Sequence, residues 1–223
     1  MDLQQVMDRF GASSAEPVVV GMSGAAVVQL ERAGERLYYK TGDGPIAAAI
    51  SDEADRMEWL GSTGFPCPKV VDRGNNWMLT TALPGRDASA DWPAADRPAV
   101  IAALAEGLRL MDSLSGCPFT SPFPGVAESV THGDYCAPNV FVDPETLRFC
   151  GILDVGRLGM GDRYADLGLM YKSLSNGLNP QYGLVPAARS FVTQYGGDPD
   201  DPRIPYYIGL DDSDSFWANA RNG

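Results

Sequence analysis

The sequence predicts an α+β chain of two lobes, an antiparallel sheet with one helix first and a mainly helical part after it. Three observations carry this expectation. Short apolar runs broken by turn residues fill the stretch before Leu83. A single segment there, Ile46 to Leu60, has helical spacing. Beyond residue 98 helical periodicity dominates, with functional-looking loops between the periodic segments.

Taken in order, Pro17 to Val20, Ala25 to Leu30 and Leu37 to Thr41 read as a three-stranded meander, with Gly34 and its charged neighbours turning the second into the third. Pro45 suits a first helical position, and Ile46, Ile50, Ala54, Met57 and Leu60 then recur on one face until Gly61. Val70-Val71 and Trp77 to Thr81 form a second hairpin around Asp72 to Asn76. A lobe boundary falls near 82–85, giving an expected division into 1–83 and 84–223. Val100, Ile101, Leu104, Leu108 and Met111 mark a helix over 98–114, and the proline-rich stretch Cys117 to Gly125 reads as a linker. Short strands over 126–154 and helices over 163–175, 185–195 and 203–210 complete the expectation.

Composition narrows the function. With 17 Lys+Arg against 29 Asp+Glu, the net charge of −12 repels phosphate backbones and anionic membranes, so nucleic-acid and membrane binding are disfavoured. A cationic small molecule would be attracted, and an anionic one needs local positive help. Cys67, Cys117, Cys136 and Cys150 make no CxxC pair. The first residues hold no continuous apolar run, and no stretch approaches the ~20 apolar residues of a membrane span, which points to a cytoplasmic setting.

The chemistry concentrates in Thr131-His132-Gly133-Asp134-Tyr135-Cys136-Ala137-Pro138-Asn139, followed by a hairpin that ends in Asp154-Val155-Gly156-Arg157. An Asp, an Asn five residues later and an Asp after the next hairpin is the order by which kinase-type phosphotransferases set a hydroxyl-orienting carboxylate beside magnesium ligands. His-Gly-Asp alone would be ordinary turn chemistry; Asn139 and Asp154 in register make it a candidate site. Upstream, Lys40 ends the third strand and Glu53 lies on the next helix, the order of a lysine and glutamate that clamp ATP phosphates. Gly21-Met22-Ser23-Gly24, between the first two strands, would cover phosphates with backbone N–H groups and a hydroxyl. No G-x-x-x-x-G-K-[ST] occurs, which disfavours the P-loop class.

Several segments resemble the aminoglycoside 3'-phosphotransferases, antibiotic-resistance kinases with a protein-kinase-like fold. They are Val20 to Ala25, Tyr38-Tyr39-Lys40-Thr41, Asp52-Glu53-Ala54, Trp59-Leu60, Val130 to Asp134, Asp154 to Gly159, Asp162 to Asp166 and Tyr206 to Asp212. The resemblance implies a two-lobed protein-kinase-like fold, with ATP and Mg²⁺ as cofactors and an aminoglycoside or related cationic molecule as acceptor. It implies Asp134 as the catalytic carboxylate, also facing the acceptor, and Asn139 and Asp154 as metal ligands. Lys40, held by Glu53, would bind phosphates together with Ser23, the Met22 amide and Arg157. Tyr38 would stack on the base, with backbone groups of Ala82 and Leu83 at its edge. Asp166 would brace the catalytic loop, and Asp212 would meet acceptor amines. A monomer or homodimer is expected.

The departures from that family concern the acceptor. Only 12 positions separate Phe119 from Thr131, where family members carry a helical hairpin that walls the drug pocket. Asn176 stands where an acidic residue is usual, Lys172 where Arg is common, and Leu110-Met111-Asp112-Ser113-Leu114 where a Leu-His-x-Leu element is expected. The chain also continues from Ser213 to Gly223, where the family usually stops on an aromatic. Two alternatives therefore stand beside transfer to an aminoglycoside 3'-hydroxyl: a kinase of another small hydroxylated molecule, and a nucleotide-binding protein without acceptor turnover.

Overall fold

The computed structural model describes residues 1–18 and 24–220, without the side chains of 218–220. The chain separates into two compact units, Met1–Leu83 and Pro84–Gly223.

In the first unit, α1 (Leu3–Phe10) precedes the strands β1 (Ser14–Val18), β2 (Ala26–Arg32) and β3 (Glu35–Thr41); α2 (Pro45–Ser62), β4 (Val70–Gly74) and β5 (Trp77–Thr81) follow. The five strands form one antiparallel sheet in the order β1-β2-β3-β5-β4. Side chains alternate across a strand, and β3 uses this fully. Leu37 and Tyr39 join Leu30, Trp77, Leu79 and Val6 of α1 in a buried core, while Tyr38 and Lys40 lie on the other face, toward α2.

The helix α1 departs from the expected single helix in this unit. Its cause is legible in hindsight: Asp2 and Gln5 form a reciprocal capping box, and Gly11 in a left-handed conformation (φ 66°) ends the helix. Leu3, Val6, Met7 and Phe10 then pack on the sheet. α2 begins with Pro45 in its first turn and runs past Gly61 to Ser62.

The second unit opens with β6 (Arg86–Asp87) and α3 (Arg97–Asp112), then β7 (Ser129–Thr131), β8 (Val140–Val142), β9 (Phe149–Ile152) and β10 (Gly159–Gly161). α4 (Tyr164–Ser175), α5 (Val185–Tyr195), α6 (Arg203–Asp211) and α7 (Asp214–Ala220) follow. The β8–β9 hairpin, extended by β6, and the small β7–β10 ladder present loops beside α4, whose Tyr164 to Met170 are all buried. α3, α5 and α6 supply the remaining walls of this core through residues such as Leu104, Leu108, Phe191 and Tyr207. α7 lies in the tail for which no element is expected from sequence.

All four cysteines are free and partly buried. Among the described residues no helix is long and apolar enough to cross a membrane.

Candidate active site

In the first unit, Lys40 Nζ lies 2.7 Å from Glu53 Oε2, with both side chains largely buried (13% and 7% exposed). The pairing follows from two periodicities. Strand alternation turns Lys40 toward α2, and Glu53 sits on the helix stripe that also buries Ile50, Met57 and Leu60. A carboxylate on an apolar stripe is costly unless paired and hydrogen-bonded. Tyr38, on the same face as Lys40, donates its hydroxyl to Gln29 Oε1 at 3.2 Å. The Ala82 N–H donates to the Arg36 carbonyl at 3.1 Å. Any contact from Ala82 to a base would come from its carbonyl, because its amide proton is already used. Leu83 is buried. Met22 and Ser23 lie outside the described residues.

In the second unit, Asp134, Asn139 and Asp154 are tied into one hydrogen-bonded frame. Asn139 Nδ2 donates to the Asp134 carbonyl at 2.9 Å. The Leu153 N–H, one residue before Asp154, donates to the Asn139 carbonyl at 2.8 Å. His132 completes the frame from within: its Nδ1 accepts from the Asp134 N–H at 3.1 Å, and its Nε2 lies 2.8 Å from the Leu153 carbonyl. Those two partners require the neutral tautomer protonated on Nε2. Burial holds the imidazole neutral by lowering its proton affinity. The chain's one histidine is therefore a brace, a role its place in His-Gly-Asp leaves unspecified.

The loop is held from below by α4. Asp166, fully buried, accepts from the His132 N–H at 2.6 Å through Oδ2 and from the Gly133 N–H at 2.9 Å through Oδ1. Burial pushes its carboxyl up to about 7, against the pull of those two bonds. Gly133 sits at φ +76°, and a Cβ there would meet the Arg157 Cβ and carbonyl at 2.6 Å. Only glycine lets the loop pass so close to Arg157. Asp154 itself is left-handed (φ 55°), a strained conformation that aspartate tolerates better than most residues.

Above this frame, Arg157 Nη1 lies 3.9 Å from Asp134 Oδ1 and 3.9 Å from Asp211 Oδ1. Lys172 Nζ contacts Asp211 at 2.7 Å and Asp212 at 2.6 Å. Asp211, which sequence reasoning passed over, is thus the residue joined to Arg157; its neighbour Asp212 is 61% exposed and meets Lys172. Asn176 caps the end of α4, its Oδ1 accepting from the Leu178 N–H at 3.0 Å. Asp112, at the end of α3, accepts the Tyr195 hydroxyl and lies 3.8 Å from Arg163. The Cys136 thiol, 3.9 Å from Asp134 Oδ1, is held protonated by burial and by the neighbouring carboxylates.

Among the described residues no three His, Cys, Asp or Glu side chains converge as a self-sufficient metal cluster. The oxygen donors of Asn139 and Asp154 suit a hard cation that takes its other ligands from phosphate and water. With Nδ2 of Asn139 committed to Asp134, its Oδ1 is the atom left to ligate. The second unit thus offers a half-exposed carboxylate, two oxygen ligands and a guanidinium, the parts phosphoryl transfer needs.

The model of the phosphotransferase enzyme family matches this chain over residues 16–125 and 120–203. The chain belongs to that family. An aminoglycoside 3'-phosphotransferase of Streptomyces fradiae is 34% identical to this phosphotransferase, over 86% of this chain and 92% of its own length. The crystal structure of an aminoglycoside-3'-phosphotransferase of type VIII superposes with a TM-score of 0.81 at 30% identity, covering 94% of this chain and 96% of that one. The aminoglycoside phosphotransferase APH(3'')-Id of Streptomyces rimosus, in complex with ADP and streptomycin, gives 0.76 at 26% identity over 94% and 96%. These neighbours bear out the two-lobed kinase-like α+β class.

The two matched stretches of the family model meet at 120–125, inside the loop between α3 and β7. The alignment to the S. fradiae enzyme runs over 247 positions but uses 86% of 223 residues, about 192, so about 55 positions of that relative face no residue here. The overlap of the two stretches falls in the segment where 12 positions take the chain from Phe119 to Thr131.

Proposed function

We propose that this protein transfers the γ-phosphoryl group of ATP to the 3'-hydroxyl of an aminoglycoside of the kanamycin or neomycin type, thereby conferring resistance to it. The observation that carries this reading is the frame through His132 and Asn139 that holds Asp134, Asn139 and Asp154 in fixed relation.

Asp134 orients the acceptor hydroxyl and takes its proton as the oxygen attacks Pγ; the bond from Pγ to the β-phosphate oxygen breaks, and ADP leaves with the negative charge. Lys40, directed by Glu53, neutralises the nucleotide phosphates, a role the family resemblance gives also to Arg157, Ser23 and the Met22 amide. Tyr38 supports the base. Asn139 and Asp154 would hold Mg²⁺, which would supply neutralisation of phosphate charge. Asp211 and Asp212, joined by Lys172, face the ammonium groups of the drug. The acidic net charge of −12 concentrates such a polycation near the protein.

The test is an ADP-coupled assay on one aminoglycoside with a 3'-hydroxyl and one lacking it, with the product located by NMR. Turnover of the first alone, abolished in Asp134→Ala while ATP still binds, supports the proposal. Retained turnover in Asp134→Ala, or equal turnover of the 3'-deoxy drug, refutes it. A second reading, phosphorylation at the 3''-position of streptomycin, is favoured by the likeness to the S. rimosus enzyme, whose structure holds streptomycin. Turnover of streptomycin alone would select it.

A further inference from the structure

The tail beyond Asp212 lies against the place where the family model breaks. α7 lays Phe216 on Phe123, ring centroids 5.4 Å apart and nearly parallel at 17°. Trp217 meets the same Phe123 edge to face at 5.4 Å and 81°. Phe123 is buried and lies within 120–125, where the two stretches of the family model meet. Tyr207 of α6 completes the cluster, 5.9 Å from Phe123 and donating its hydroxyl to the Pro124 carbonyl at 2.8 Å. The 120–125 loop and α7 thus cover one another's apolar surface.

Trp217 is fixed at both its polar and its apolar ends. Its Nε1 donates to the Asp211 carbonyl at 3.0 Å, and its ring face carries the Arg157 guanidinium, 4.0 Å from the ring centroid. Such a distance is well within cation–π range. The same guanidinium lies 3.9 Å from both Asp134 Oδ1 and Asp211 Oδ1, beyond the ~2.8 Å of a charge-assisted hydrogen bond to either. Attraction to two carboxylates would draw Arg157 into contact with one of them. The indole supplies the third attraction that holds it between them.

Building on the phosphotransfer reading above, we propose that Trp217 is a positioning residue for Arg157. It keeps the guanidinium off Asp134, so that this carboxylate stays open to an acceptor hydroxyl while a positive charge remains beside it. Without the indole face, Arg157 closes onto Asp134 and occupies the oxygen that must meet the acceptor.

The discriminating pair is Trp217→Phe, which keeps a ring face, and Trp217→Leu, which keeps apolar cover for Phe123 but offers no π face. Two readouts apply. NMR of the full chain reads the placement directly: the Arg157 side-chain protons are shifted upfield by the ring in the wild type and in Trp217→Phe, and lose that shift in Trp217→Leu. Kinetics reads the consequence: Trp217→Leu lowers kcat about tenfold with KM for ATP little changed, and Trp217→Phe recovers most of it. In the double variant Arg157→Ala/Trp217→Leu the loss equals that of Arg157→Ala alone, because the tryptophan acts through the arginine. Absence of the upfield shift in the wild type overturns the proposal, as do losses that multiply in the double variant or a Trp217→Phe as slow as Trp217→Leu. A wild type that shows the shift yet turns over no acceptor sinks the phosphotransfer reading and leaves the placement of Arg157 by Trp217 standing.

Discussion

Asp166 offers the sharpest test of how the candidate site is held. Its two oxygens accept the His132 and Gly133 N–H groups at 2.6 and 2.9 Å inside a fully buried environment. In Asp166→Ala both donors lose their partner, and at about 1–3 kcal/mol for each orphaned buried group the second unit should lose about 2–6 kcal/mol. Asp134 follows Gly133 directly, so the loop's drift displaces the carboxylate, and a misplacement of about 1 Å costs about a hundredfold in kcat. Asp166→Asn cannot titrate, and its single acceptor Oδ1 serves only one of the two N–H groups, so it adds a pH-independent offset on which the pH-dependent part of the difference is superimposed. Burial sets the Asp166 carboxyl at about 7 against 3.8 for a free one, so over that interval the folded protein holds a proton that the unfolded chain has released. The stabilising contribution of Asp166 is then complete below its unfolded value and is lost as pH rises through about 7, by up to about 4 kcal/mol. Urea unfolding of wild type and Asp166→Asn from about pH 4 to about pH 7.5 reads this as a difference that shifts against the wild type with rising pH. A difference that stays flat across the interval, or an Asp166→Ala within about 1 kcal/mol of wild type, would refute the reasoning.

Three further outcomes follow from the same geometry. Glu53→Gln removes the charge that directs Lys40 at 2.7 Å, and steady-state kinetics should show KM for ATP up about tenfold while KM for the acceptor barely moves. Asp211→Asn should raise KM for the acceptor more than Asp212→Asn does, because Asp211 is the less exposed of the two (19% against 61%) and meets both Arg157 and Lys172; the reverse order would return the role to Asp212. Gly159→Ala places a methyl 2.3 Å from the Thr120 carbonyl carbon and 2.5 Å from the Ser121 nitrogen, both backbone atoms, so thermal unfolding should show a loss of about 2–4 kcal/mol.

Legibility in the sequence tracked the range of the interactions concerned. The helix beginning at Pro45 and those over 163–175, 185–195 and 203–210 could be placed because their apolar spacing and their Pro, Gly or Asn boundaries are local properties. α1 was equally local, in the Asp2 to Gln5 box and the Gly11 stop, but its eight residues are few enough to read as a preamble to the first strand. α7, at seven residues, has too little periodicity to announce itself and is held by the aromatic contacts of Phe216 and Trp217 with Phe123. At the site, the spacing of Asp134, Asn139 and Asp154 was visible because one loop and one hairpin carry all three. The choice between Asp211 and Asp212 was not, because it depends on which side of α6 faces Arg157.

The sequence alone determined the order of chemical groups: a strand-end lysine, a helical glutamate, then an Asp, Asn and Asp along one loop and hairpin. It also determined that the segment before Thr131 is short. Only the tertiary structure decided that the single histidine is a neutral brace, that Asp166 carries the loop from a buried position, and that Trp217, sixty residues beyond Arg157 in the chain, lies under it. The physical reason is that spacing encodes what a strand or a turn brings together. Burial of a charge and the meeting of an aromatic face with a guanidinium depend on how separate elements pack.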